Sequence, residues 1–296
     1  MTNDRATRGV MLALLAATLW GVTGAVAAGV FEVVSPARVA QTRSLVALAV
    51  LVPYAAHRGA LRLEGGLWRF ALLGVNLALV NVTFYWALDA LGVGPGATIQ
   101  FLGPILVLGW MVVVHHTKVR SLVWAAAAFA VFGVGLVTKA WTLEASDALG
   151  IAAGLASAVA FATYLLYGEY LGKTFRPAQI ATWGFVFASL IWLVVLPIWT
   201  FPTAIGTRAW IDLIIIGVLG TAVPFIAGFA ALRLAPSGIV GVIATAEPAI
   251  GAVAAAIMLG QALDPVQWVG VAAVVVAVAV VQRWGLTRLH PASPIA

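Results

Sequence analysis

Two charged residues stand inside long apolar stretches of this chain, where a charge is costly. Glu247 lies near the middle of one stretch, and Arg43 lies inside another. An ionisable side chain at such depth is a functional hypothesis by default. Glu247 could exchange a proton or hold an amine, or it could be a neutral acid that bridges backbone groups freed by Pro248. Arg43 could pair with Glu247 or with a bound carboxylate, but the preferred interpretation is that its long stem extends to the outer interface.

Aromatic and uncharged polar side chains occur at similar depths. They could form the wall of a cavity for an amphipathic or cationic ligand, although packing and hydrogen bonds between helices are their commoner uses. The candidate contact residues are Glu247, Gln100, Trp20, Tyr164, Tyr85, Trp86, Asn81, Thr245 and Arg43. No metal site and no cofactor are predicted. The adjacent His115 and His116 would diverge by about 100 degrees on a helix, so they do not converge on one ion.

The chain also matches itself without a gap. Pro104 and Pro248 are 144 positions apart, and the same offset pairs Pro53 with Pro197. Proline inside a helix removes a backbone donor, so Pro104 and Pro248 predict a break in each helix. Such a break could be a kink for packing or a bent helix that lines a path through the protein. The repetition in register favours the second interpretation.

The elements that carry these residues are membrane helices. The chain is 63% hydrophobic and 9% charged, and membrane helices need about 20 largely apolar residues each. Ten such stretches occur, numbered here as spans one to ten: 10–28, 37–56, 67–88, 94–114, 122–137, 149–171, 180–199, 210–232, 238–259 and 266–284. Five spans fall in each copy, so the second copy is inverted relative to the first. We therefore expect an all-α integral membrane protein with ten transmembrane helices in two inverted five-helix repeats, 1–144 and 145–296 with a short C-terminal tail.

The basic residues predict the orientation. Twelve Lys and Arg fall on one set of loops and tails, and three fall on the other. The positive-inside rule then places both termini in the cytoplasm, in a multi-pass protein of the cytoplasmic membrane. The charges are dispersed, which argues against a nucleic-acid partner. Spans five and ten carry almost no polar side chains, so we assign them to the scaffold or to a homodimer contact.

Several motifs resemble a known family. They are Ala17-Thr-Leu-Trp20-Gly21, Tyr85-Trp-Ala-Leu88, and Leu232-Arg-Leu-Ala-Pro-Ser-Gly followed by Glu247-Pro248-Ala. The chain resembles the EamA-type members of the drug/metabolite transporter superfamily, and Gln100-Phe-Leu-Gly-Pro104 is similar to the branch that exports homoserine and threonine. Three places depart from that pattern. The family often ends spans four and nine with a glutamate, where this chain has His115-His116-Thr117 and Gln261, and Gln100 stands where that branch often has an acid.

The resemblance implies a secondary transporter that exports a small metabolite, with an amino acid or related compound as the leading class. Substrate is expected at the midplane between spans one, three, four, six, eight and nine, with one repeat rocking against the other and with proton coupling through Glu247. An alternative is a multidrug or organic-cation exporter on the same fold, and a remote one is a non-transporting membrane subunit. An enzyme is not predicted, because the chain lacks His-Glu-x-x-His and Gly-x-Ser-x-Gly motifs.

Overall fold

The structure is a bundle of membrane-spanning helices. The computed structural model describes residues 2–63, 65–91, 93–142, 148–260 and 262–285, and the regular elements within those ranges are all helical. Nine of the described helical segments are long and apolar enough to cross a bilayer, and the shorter apolar helix Ser121–Val137 accounts for span five. The prediction of an all-α membrane protein with ten spans is confirmed. The predicted division between 144 and 145, Gln261 and most of the C-terminal tail lie outside the described residues.

The first five spans contain six α-helices, and the last five contain seven. The helices are α1 (Thr2–Val30), α2 (Pro36–His57), α3 (Leu67–Leu91), α4 (Val93–Gln100), α5 (Gly103–Val113), α6 (Ser121–Val137), α7 (Ala148–Gly172), α8 (Pro177–Val195), α9 (Gly206–Gly217), α10 (Val223–Leu234), α11 (Ser237–Ala244), α12 (Ala246–Leu259) and α13 (Pro265–Val280). Span four consists of α4 and α5, span eight of α9 and α10, and span nine of α11 and α12. We call the end of the bundle where α1 begins the inner end, and the opposite end the outer end.

Spans four and nine are broken at equivalent positions. Span four is interrupted at Phe101 and Leu102, and span nine is interrupted at Thr245. Phe101 and Thr245 are themselves 144 positions apart. Each break comes just before the helical segment that carries Pro104 or Pro248 near its start, where the missing proline N–H costs no helical hydrogen bond. The predicted helix breaks are therefore present in both repeats.

Span seven ends earlier than its apolar stretch predicts. Helix α8 stops at Val195, whereas the stretch continues to residue 199. Leu196 has an extended backbone, with φ −128° and ψ 91°. The ring of Pro197 disfavours helical geometry in the preceding residue, which explains the early end.

The two repeats are interleaved rather than side by side. Span one packs against spans eight and nine, and its counterpart, span six, packs against spans three and four. Span two likewise contacts span eight, and span seven contacts span three. The helices therefore form two bundles of mixed origin, one of spans one, two, eight and nine and the other of spans three, four, six and seven. Spans one and two of the first bundle correspond to spans six and seven of the second at an offset of +144, and spans eight and nine correspond to spans three and four at an offset of −144.

Spans five and ten pack against each other beside these bundles. At their crossing, a Cβ added to Gly133 would lie 2.9 Å from the carbonyl oxygen of Gly270, and one added to Gly270 would lie 2.7 Å from that of Gly133. Only glycine permits backbones to approach this closely. Part of the apolar surface predicted for a scaffold or dimer contact is thus used within one chain.

Candidate functional site

A cavity of about 270 Å³ lies between the two mixed bundles. Spans one, two, three, four, six, eight and nine contribute to its wall. It extends from Glu247, at the break of span nine, to Phe31, just beyond the outer end of span one. Of the nine predicted contact residues, the structure brings seven to this wall: Trp20, Arg43, Asn81, Tyr85, Gln100, Tyr164 and Glu247.

The cavity contains one acid and one base. Glu247 lies in the first turn of α12, where the helix dipole favours a negative charge. Its carboxylate forms no hydrogen bond or salt bridge with any residue that the structure describes. Bridging of backbone groups near Pro248, one of the two interpretations of Glu247, is therefore not what the structure shows. The carboxylate is free to interact with a molecule in the cavity.

Arg43 also faces the cavity. It is half-buried, and its Nε donates a hydrogen bond to the hydroxyl of Thr221 at 3.1 Å. The interpretation that this side chain extends to the outer interface is wrong, because the guanidinium is fixed by span eight instead. No salt bridge joins Arg43 to Glu247 within the described part of the chain. The cavity thus presents an acid and a base that form no salt bridge but are close enough to interact electrostatically.

An irregularity in span eight positions the partner of Arg43. Residues Val218–Ala222 form a π-helical segment between α9 and α10. The hydroxyl of Thr221 donates to the carbonyl oxygen of Ile216 at 3.0 Å, five residues earlier. Pro224 lacks the N–H that a regular α-helix would use here, so the widened turn follows from the sequence. Thr221 was not among the predicted site residues. Pro224 in an apolar span was the available sign of an irregular turn just before it, where Thr221 lies.

Aromatic side chains form the floor of the cavity. Trp20 and Tyr164 are equivalent in the two repeats, and both make edge-to-face contacts with Phe225, with ring centroids 5.2 Å and 5.7 Å away. Tyr164 also stacks on Phe161 at 6.0 Å. We call Trp20, Phe161, Tyr164 and Phe225 the aromatic floor. These packed rings close the cavity toward the inner end, and sequence reasoning had missed Phe161 and Phe225.

Two of the polar wall residues are anchored by one end of their amide. The Gln100 side-chain nitrogen donates to Ser157 Oγ at 2.9 Å, and the Asn81 side-chain nitrogen donates to the carbonyl oxygen of Leu77 at 2.7 Å. Each amide oxygen remains an acceptor on a fixed side chain at the cavity wall. A preformed site needs a few polar groups of this kind to orient its ligand.

The structure does not bring Trp86 and Thr245 to the cavity. Trp86 is 54% exposed on the outside of span three, because it follows Tyr85 and neighbouring helical residues point in different directions. Thr245 is completely buried, and its hydroxyl donates to the carbonyl oxygen of Val242 at 2.6 Å. Thr245 therefore stabilises the break in span nine.

A close crossing of spans one and nine positions Glu247. A Cβ added to Gly21 would lie 2.6 Å from the Glu247 carbonyl oxygen and 2.9 Å from the Gly251 nitrogen. The two backbones are therefore in direct contact beside the acid. Gly21 is required here because any side chain would displace the turn that carries Glu247.

The two mixed bundles contact each other at the inner end and along spans two and seven. At the inner end, α10 packs against α7 and α8, and α11 packs against α5 and α7. Helix α2 also packs against α8, and toward the outer end the Gln41 side-chain nitrogen donates to the carbonyl oxygen of Trp192 at 3.2 Å. At the outer end, α4 packs mainly against α3 and α7, and α9 packs mainly against α1 and α2, so each stays with its own bundle. The cavity therefore reaches toward the outer end and is sealed toward the inner end.

These features define a class of protein: a multi-pass membrane protein whose two inverted repeats enclose a largely apolar cavity with a few polar groups at two broken helices, which is the architecture of secondary transporters. The comparisons with known proteins agree. Residues 7–139 and 148–283 each match the EamA-like transporter family. The chain belongs to this family of membrane transporters.

Three proteins illustrate the relationship. The threonine/homoserine exporter RhtA of Escherichia coli K12 is 27% identical over 208 residues, which cover 69% of this chain and 67% of the exporter. The uncharacterized transporter YwfM of Bacillus subtilis is 23% identical over 88% of this chain and 89% of its own length. A solved crystal structure superposes with a TM-score of 0.78 at 18% identity, over 92% of this chain and 95% of the solved chain. The last comparison supports the fold alone.

Proposed function

We propose that this transporter exports an amino acid or a closely related compound. The observation that carries the proposal is the unpaired Glu247 and Arg43 on the wall of one cavity. An amino acid has an ammonium group that can donate to Glu247 and a carboxylate that can accept from Arg43, and both bonds would be charge-assisted. The relative RhtA, a threonine/homoserine exporter at 27% identity, supports the same class.

The charges on the cavity wall argue against the multidrug alternative. A simple organic cation would leave Arg43 inside the membrane without an anionic ligand group. A zwitterion supplies both an ammonium group and a carboxylate, so it suits the pair of charges better.

Transport by alternating access would use the two mixed bundles as its moving parts. The repeat in the sequence suggested that residues 1–144 rock against residues 145–296. That motion would separate span one from spans eight and nine, against which it mainly packs. Movement of spans one, two, eight and nine against spans three, four, six and seven preserves those contacts. It would open the inner end by separating α10 and α11 from α5, α7 and α8.

Proton coupling through Glu247 is part of the proposal. The carboxylate lies in the cavity and has no fixed cation beside it within salt-bridge distance among the described residues. Such an acid can exchange protons with water in the cavity as the substrate arrives or leaves. We further infer a cytoplasmic-membrane location with both termini inside the cell, from the distribution of basic residues. A homodimer through spans five and ten stays a prediction.

Efflux from cells that lack their own amino-acid exporters tests the proposal. The cells are loaded with dipeptides, and the medium is assayed for a panel of amino acids. Loss of one charge-assisted bond should raise the half-saturating concentration about 10- to 100-fold in Glu247→Gln and in Arg43→Gln. Asp212→Asn is the matched control, because Asp212 pairs with Arg208 outside the cavity wall.

Three outcomes would each count against one part of the proposal. If Arg43→Gln impairs export of an amino acid and of the corresponding amine without a carboxylate equally, Arg43 does not bind the carboxylate. If Glu247→Gln leaves both the efflux rate and its pH dependence unchanged, proton coupling through Glu247 is excluded. Efflux of no amino acid above that of cells without the protein would refute the substrate class.

A further inference from the structure

A second large cavity lies at the inner end, on the perimeter of the bundle. It is a groove of about 450 Å³ between α5 and α7, and the start of α11 closes one side. Along α7 its wall runs from Thr163 to Lys173. Ten residues of helix extend about 15 Å, which is half of the roughly 30 Å hydrocarbon core. The groove therefore spans one leaflet of the bilayer.

The groove opens toward the lipid. Trp110 on α5 is 49% exposed and Tyr170 on α7 is 47% exposed, and both lie within about one turn of the inner ends of their helices, at the level where aromatic side chains meet lipid headgroups. Thr163, deeper along α7, is also exposed, so the groove continues from the interface into the acyl-chain region. A lipid of the inner leaflet therefore lies directly beside it.

The mouth of the groove carries opposite charges. Glu169 and Lys173 lie one turn apart on α7 and both line the groove, but they form no salt bridge in the described structure. One oxygen of the Glu169 carboxylate accepts a hydrogen bond from the backbone N–H of Ser237 at 2.8 Å, which fixes the side chain against α11. The other carboxylate oxygen and the Lys173 ammonium are therefore available to a ligand at the mouth.

We propose that this groove binds a phosphatidylethanolamine molecule of the inner leaflet. The ammonium group donates to the Glu169 carboxylate, and the phosphate accepts from Lys173. One acyl chain lies along Trp110 and Leu166. Phosphatidylglycerol has a net negative charge beside the Glu169–Lys173 pair and offers Glu169 only neutral hydroxyl donors, and a choline headgroup has no N–H to donate. The inference does not depend on the identity of the transported substrate.

Native mass spectrometry of the purified full-length protein tests this assignment. The protein is equilibrated with equal amounts of phosphatidylethanolamine, phosphatidylglycerol and phosphatidylcholine that carry the same acyl chains. The expected result is retention of phosphatidylethanolamine about tenfold above phosphatidylcholine, which corresponds to one charge-assisted hydrogen bond at the lower end of its range. Glu169→Gln should remove most of this preference.

Lys173→Gln provides a second variant, since Lys173 is exposed and its replacement does not disturb the contact with α11. It should weaken retention of the lipid, whereas Lys118→Gln, which removes the same charge outside the groove, should not. Equal retention of the three lipids, a preference for phosphatidylglycerol, or a preference that survives both groove variants would overturn the proposal. Binding of soluble phosphoethanolamine with no requirement for acyl chains would also overturn it.

Discussion

The crossing of spans one and nine gives the sharpest test of how the site is held. In Gly21→Ala, the new Cβ would lie 2.6 Å from the carbonyl oxygen of Glu247, whereas ordinary contact begins at 3.4 Å. The two helices must therefore separate by the difference, about 0.8 Å. Overpacking of this kind costs about 1–3 kcal/mol. The displaced turn carries Glu247, so both the free energy of unfolding and export should decrease.

Gly29→Ala is the matched control on the same helix, because a Cβ at Gly29 would meet no atom within 4 Å. Both substitutions replace glycine by alanine in α1, so their shared effect on helix propensity, about 1 kcal/mol, cancels in the comparison. Denaturant unfolding in detergent should therefore place Gly21→Ala about 1–3 kcal/mol below Gly29→Ala. Equal stability of the two variants together with equal amino-acid efflux would refute the close crossing and its role in positioning Glu247.

Two further predictions concern the outer loops and the sealed inner end. Lys139 donates to the Asp264 carboxylate at 2.9 Å and thereby lowers the pKa of Asp264. Asp264→Asn keeps a hydrogen-bond acceptor at the start of α13 but removes the ion pair with Lys139. The variant should therefore be less heat-stable than the native chain above the ordinary Asp pKa of about 3.9, and this difference should disappear as the pH falls through the lowered pKa of Asp264. A difference in stability that persists in acid would exclude the ion pair as its cause. The chain has no cysteine, so single cysteines report accessibility without background: Asn81→Cys on the cavity wall should react with a thiol reagent in the resting protein, and Leu171→Cys, fully buried at the inner end, should react only during transport. Reaction of Leu171→Cys at the same rate with and without substrate would contradict alternating access.

The prediction from sequence was most successful where the cause is local. Ten spans follow from apolar runs of sufficient length, and the breaks in spans four and nine follow from Pro104 and Pro248, because a missing N–H acts within one turn of the helix. The depth of Glu247 and Gln100 is set by their position along these same helices. For this reason both reach the cavity wall, although neither residue has a sequence signature that identifies its partners.

The sequence did not determine which direction a side chain faces across the bundle. Tyr85 lines the cavity and its neighbour Trp86 faces outward, a difference that depends on the helices that pack beside span three. Arg43 was expected to reach the interface, but the widened turn in span eight places the hydroxyl of Thr221 beside it.

The sequence by itself determined the number of spans, their division into two related copies and the depth of the charged residues, because hydropathy, periodicity and proline act along the chain. Only the tertiary structure decided that the copies interleave into two mixed bundles, and that Glu247 and Arg43 face one cavity without pairing. Apolar helices contain no local information on their partners in lipid, where all such surfaces are similarly apolar. Close glycine crossings such as Gly21 with Gly251, and a few hydrogen bonds between distant spans, make that choice.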